Sequence, residues 1–141
     1  MDAQGNVQQA VPLFAVESME ASLAFYMHSL GFEMTDEWIE DDILRWCWLQ
    51  RDGAALMLQV SRPGERDPEV IVGQGVSIYF ICRDALAIYD QAVAAGLEPQ
   101  EPFVGNAMWV TPMQDPDGFR VEFESYTDVP EGTLLSQHRG T

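Results

Sequence analysis

The sequence predicts an α+β fold built from two copies of one βαβββ unit. Three observations carry that prediction. Gly31-Phe32-Glu33 recurs as Gly96-Leu97-Glu98, Asp52-Gly53 recurs as Asp117-Gly118, and Val16 recurs as Ile81, all at one offset of 65 positions. Glycines, turns and strand cores that keep one spacing mark an internal repeat of a supersecondary unit. Two copies facing each other would share a cleft, and functional residues should line it.

Residues 1–10 are polar and read as a flexible N-terminus. They lack the basic start and apolar stretch of a signal peptide, so the expected location is the cytoplasm. The first unit covers residues 11–60. Val11–Val16 is a short apolar run bounded by polar residues, the pattern of a strand. Ser18 is placed to cap a helix, Leu23, Tyr26, Met27 and Leu30 follow at helical spacing, and Gly31 supplies a left-handed stop. Strands are expected at Phe32–Trp38, Leu44–Gln50 and Ala54–Val60, the last two joined through Asp52-Gly53, a strong hairpin signal.

Residues 61–74 hold two prolines, two glycines and alternating charges, and read as a linker. The second unit, residues 75–125, repeats the order. Val76–Ile81 reads as a strand, Asp84 caps a helix with Leu86, Tyr89 and Val93 on its apolar face, and Gly96 ends it. Pro99 and Pro102 reduce the next strand to an edge. Met108–Met113 and Phe119–Glu124 form the last hairpin around Asp115-Pro116-Asp117-Gly118. Residues 126–141 are a polar tail in which Leu134-Leu135 can dock.

A chain of 141 residues can bury roughly 70% of its unfolded surface, enough for a real core. No apolar run approaches the ~20 residues that span a bilayer, so a membrane is not an expected partner. Net charge is −16, from 23 acids against seven bases. That field repels phosphates, which argues against nucleic acid, and it concentrates cations near the surface. All the bases are arginine, so lysine Schiff-base chemistry is excluded. Cys47 and Cys82 lie in or beside expected strands without CxxC or zinc spacing, as buried thiols in a reducing compartment do.

One face of each sheet packs on its helix, and the other face is free to line the cleft. A two-residue turn at Asp52-Gly53 pairs Arg51 with Ala54, Trp48 with Met57 and Trp46 with Gln59. The same count at Asp117-Gly118 sets Met113 beside Glu122, with Trp109 on the same face. A three-residue bulged turn, which Asp115-Pro116 would favour, breaks that second register. Indoles at i and i+2 are also what an ordinary core contains. Three tryptophans and two methionines around one carboxylate nevertheless suit a flat, partly cationic ligand, because rings stack and indole faces attract positive charge.

The order βαβββ twice, Phe25-Tyr26 ahead of Leu30-Gly31-Phe32, and Asp115-Pro116-Asp117-Gly118-Phe119 running into Val121-Glu122-Phe123 resemble the vicinal oxygen chelate superfamily. This is the glyoxalase, bleomycin-resistance and extradiol-dioxygenase group, and the likeness covers roughly residues 11–125. It implies two modules forming a half-open barrel with a central cleft, commonly completed in a homodimer. Metal-using members carry histidines and glutamates on the first and fourth strands of each module. Those places fall here at about Val11, Met57, Val76 and Glu122, so Glu122 alone could bind a metal. Divalent ions need three or four good ligands, and His28 and His138 lie off the expected cleft.

The resemblance therefore points to the metal-free bleomycin-resistance branch, with no cofactor. The expected activity is sequestration of a small aromatic or cationic compound, as in antibiotic resistance. Trp46, Trp48 and Trp109 would stack, Met57 and Met113 would fill, and Gln59 and Glu122 would orient polar groups. The alternatives are a metal-dependent lyase or dioxygenase, an isomerase using Glu122 as acid and base, and a structural module whose cleft is filled by its own side chains.

Overall fold

The protein is described here from a computed structural model covering residues 5–140. Residues 1–4 of the expected N-terminal segment, and Thr141, lie outside the described residues. Among the described residues eight strands form two four-stranded mixed sheets. Strands β1 (Leu13–Val16), β2 (Glu33–Glu40), β3 (Ile43–Arg51) and β4 (Ala54–Val60) build the first, in the order β1-β4-β3-β2. Strands β5 (Ser77–Ile81), β6 (Phe103–Gly105), β7 (Met108–Gln114) and β8 (Arg120–Tyr126) build the second, in the order β5-β8-β7-β6. Each sheet opens with a parallel pair, β1 on β4 and β5 on β8, and is otherwise antiparallel.

A helical segment crosses between the first two strands of each module. Ser18 caps helix α1 (Met19–Leu23) by accepting from the Ala21 N–H at 3.1 Å. The helix then widens into a π-helical turn over Ala24–Ser29, closed by the Leu30 N–H donating to the Phe25 carbonyl, instead of continuing as a regular α-helix. Gly31 ends it at φ +76° as the sequence predicts. Asp84 caps helix α2 (Ala85–Ala94) through the Ala87 N–H. Its buried positions are Ala85, Ile88 and Ala92; of the expected face, Leu86 and Tyr89 are partly buried against Val104, Trp109 and Leu135, and Val93 is turned out at 49% exposed.

The helix-facing sides of both sheets merge into one core. Phe14, Tyr26, Leu49, Leu56 and Leu58 from the first module meet Phe80, Met113, Val121 and Phe123 from the second. Two polar latches join the modules in a pseudo-twofold manner. The Tyr26 hydroxyl donates to Asp115 Oδ2 at 2.8 Å, while Gln91, the position 65 residues on from Tyr26, accepts from Arg51 at 3.3 Å. The same Arg51 guanidinium donates to the Leu30 carbonyl at 2.6 Å. The tail docks as expected: Leu135 in the short helix α3 (Leu135–His138) is buried against Trp109 and Val104. No helix among the described residues is long and apolar enough to cross a membrane.

Candidate functional site

Side-chain alternation assigns each residue to the shared core or to an open sheet face. On the first sheet the two-residue turn at Asp52-Gly53 forms, with Asp52 at φ +50°, and the expected register follows. Trp46 lies beside Gln59, and Trp48 beside Met57. Strands β1 and β2 extend these pairs into two rows: Trp38, Trp46, Gln59 and Ala15, then Asp36, Trp48, Met57 and Leu13. The Trp48 indole N–H is satisfied by Gln50 Oε1 at 3.1 Å.

On the second sheet the expected register fails by one residue. Met113 pairs with Val121 and Pro112 pairs with Glu122, because the hairpin loop runs from Asp115 to Phe119 instead of turning in two residues. The cause is the Asp115 side chain, whose Oδ1 accepts from the Asp117 N–H at 3.0 Å and the Phe119 N–H at 2.9 Å, while the Asp115 N–H donates to the Phe119 carbonyl. A slip of one residue turns every side chain to the opposite face. Met113 and Trp109 therefore face the helix side, Met113 in the main core and Trp109 against Ala85, Leu135 and the His138 ring. Neither shares a surface with Glu122, a correction to the sequence expectation.

Glu122 does lie on the open face. Its row reads Pro112, Glu122, Tyr79, and the next row reads Val110, Glu124, Ile81. Although it belongs to the open face, Glu122 is only 4% exposed, and its Oε2 has no hydrogen-bond partner among the described residues. A hydrogen bond with Glu122 pushes the Tyr79 phenol above its ordinary pKa. Burial, and then repulsion from Glu122, push the Glu124 carboxyl up.

The two open faces do not cover one another within the chain. Leu13, Trp38, Tyr79 and Ile81 are 46, 50, 49 and 62% exposed. A groove of about 940 Å³ runs between the β3–β4 turn and β5, lined in part by Arg51, Tyr79, Cys82 and Arg83, and it reaches none of the tryptophans. The same faces carry Trp38, Asp36, Tyr79 and Glu124, which are not among the residues expected there from the sequence. Tyr79 and Glu124 had a sequence signal, being near neighbours of Glu122 once the strands are counted. Trp38 had none, since an unbroken hairpin at Asp41-Asp42 would pair it with Arg45, and a bulge shifts it onto Trp46.

The donor set does not fit a metal held in the manner of the metal-using relatives. Val11 and Val76 precede their strands, and the residues actually beside Met57 and Glu122 are Leu13 and Tyr79. A hydrocarbon, a thioether, a phenol and one carboxylate offer a single good ligand to a divalent ion. No group of three or more His, Cys, Asp or Glu suited to an ion occurs among the described residues.

Two modules, each a four-stranded mixed sheet with a helical crossover, define the fold, and the sequence agrees. Residues 8–123 match the model of the Glyoxalase/Bleomycin resistance protein/Dioxygenase superfamily, and the chain belongs to that family. No curated protein sequence matches it. Among solved structures it is similar to a putative glyoxalase family protein from Bacillus anthracis, with 18% identity and a TM-score of 0.67 over 87% of this chain and 99% of that one. TnmS3, an antibiotic binding protein from Streptomyces sp. CB03234, gives 16% identity and a TM-score of 0.67 over 87% and 99%. A bleomycin-binding protein complexed with bleomycin gives 21% and 0.63 over 84% and 98%. At these identities the likeness establishes the fold.

Proposed function

We propose that this chain is a metal-free, bleomycin-resistance-like protein that sequesters a small aromatic or cationic compound. Its site is a cleft shared by two copies of the chain in a cytoplasmic homodimer. The observation that carries this reading is the pair of unlike open faces, one paved with Trp38, Trp46, Trp48 and Met57, the other centred on Tyr79 and Glu122. Each exposes large apolar side chains that a monomeric surface seldom leaves bare. A twofold dimer that lays the indole face of one copy on the carboxylate face of the other would cover both and create two equal clefts.

Within such a cleft the indoles supply stacking, Met57 adapts to ligand shape, and Gln59 and Glu122 orient polar groups. The net charge of −16 raises the local concentration of cations and speeds their encounter. The antibiotic- and bleomycin-binding neighbours favour capture over turnover as the use of this fold. The test is a calorimetric and tryptophan-fluorescence screen of planar cationic and neutral compounds, run beside elemental analysis of protein prepared without chelator or affinity metal. Saturable binding at one site per chain, without bound transition metal, is expected. Absence of binding across the screen, or one tightly held metal per chain, would reject the reading.

A further inference from the structure

Among the described residues, the Oε2 atom of Glu122 is a buried acceptor without a hydrogen-bond partner. The Tyr79 phenol beside it is a neutral donor to the carboxylate, and the other neighbours on the sheet give Oε2 none. Pro112, its neighbour on β7, has no N–H to give. Arg120, two residues away on β8, forms no ion pair with it among the described residues. Glu124, two residues further on the same face, brings a second carboxylate and no donor. Leaving one oxygen of a nearly enclosed carboxylate unpaired is costly, and native proteins keep such atoms rarely and for a use.

We infer that Glu122 Oε2 is the receptor for a cationic N–H donor, a protonated amine, amidine or guanidine, carried by the aromatic ligand. This rests on the sequestration reading and narrows it to a class: planar compounds bearing a positively charged nitrogen. Tyr79 braces the carboxylate from the β5 side, and Glu124 adds negative potential. The indole face, which in the proposed dimer lies opposite, attracts the same charge. A neutral planar compound would gain the stacking and leave the acceptor empty. Discrimination is therefore built into the carboxylate, and stacking is common to both.

The test uses cationic 9-aminoacridine and its neutral isostere acridone against the intact protein and Glu122→Gln, with affinity read by calorimetry and unfolding midpoint as the fold control. Glutamine keeps the size of the side chain and removes the charge and one acceptor, so the variant should fold at least as stably as the native protein. The expected result is a loss of about 10- to 100-fold in affinity for 9-aminoacridine, with acridone binding changed less than about threefold. Equal losses for both compounds, or no loss for the cation, would overturn the assignment of Glu122 and leave stacking capture standing. Failure of both compounds to bind the native protein, whatever the variant does, would refute the capture reading and this inference together.

Discussion

Tyr26→Phe isolates the hydrogen bond that ties the first helix to the β7–β8 loop. The hydroxyl donates to Asp115 Oδ2 at 2.8 Å, both residues are buried, and the ring itself packs edge-on to Phe25 and Phe32. Phenylalanine keeps those ring contacts, so the change removes one bond to a charged acceptor without opening a cavity. Such bonds contribute about 1.5–3 kcal/mol, and the expected loss at neutral pH is about 2 kcal/mol. At about 2–4 °C per kcal/mol for a chain of this size, the melting temperature should fall by roughly 4–8 °C. Alkaline pH supplies a second, independent reading. Burial and the adjacent Asp115 hold the Tyr26 pKa well above its ordinary value of 10.0, so its contribution is complete below pH 10 and is lost above it. Between those values the unfolded chain has given up the proton and the native chain retains it, so the native protein loses at most about 1.4 kcal/mol per pH unit on this account. The variant does not, and urea titrations at pH 7 and pH 11 should show the gap between the two proteins closing. Equal stability at pH 7, or a gap that stays constant with pH, would refute the latch. Asp115 works in the same sense at the acid end: burial raises its pKa above 3.8, so its contribution is greatest below that value and declines as pH rises through the raised one.

Two further outcomes follow from the core. Leu56→Ala removes a fully buried side chain at the meeting of helix and sheet and should cost about 2–5 kcal/mol in urea unfolding, whereas a loss below about 1 kcal/mol would mean the core is not packed as described. Burial pushes the Cys47 thiol up to about 11 and leaves it 0% exposed, so a disulfide-exchange reagent at neutral pH should not label it until urea is added, while the half-buried Cys82 reacts first.

Much of the fold was legible because local signals agreed with the tertiary structure. Ser18, Gly31, Asp84 and Gly96 each sit at a helix end, where the cap or the left-handed stop leaves little choice. The first open face was legible for a related reason: a two-residue turn fixes the pairing, and Trp46, Trp48, Met57 and Gln59 then share a surface by counting. The second face was not, because Asp115 folds its carboxylate back onto two backbone N–H groups and lengthens the loop, which sends Trp109 and Met113 to the core. Asp115-Pro116 signals the risk of a longer turn, but Asp-Pro-Asp-Gly is compatible with either, so the spacing does not decide between them. The bulge opposite Trp38 hid a third indole in the same way. Helix α2 buries Ala85, Ile88 and Ala92 and packs Leu86 and Tyr89 partly against the tail cluster, a wider contact than the bulky residues alone announce.

The proposed cleft between two copies is tested most directly by mixing two damaged chains. One carries Trp46→Ala and Trp48→Ala, the other Glu122→Gln, and each homodimer alone should bind 9-aminoacridine poorly. In a mixed dimer, one cleft combines the intact indole face of the second chain with the intact Glu122 of the first, and the other cleft is damaged on both sides. Calorimetry on the purified mixed dimer should then recover native affinity at half the native number of sites. Recovery at no sites would show that both walls come from a single chain, and would contradict the account.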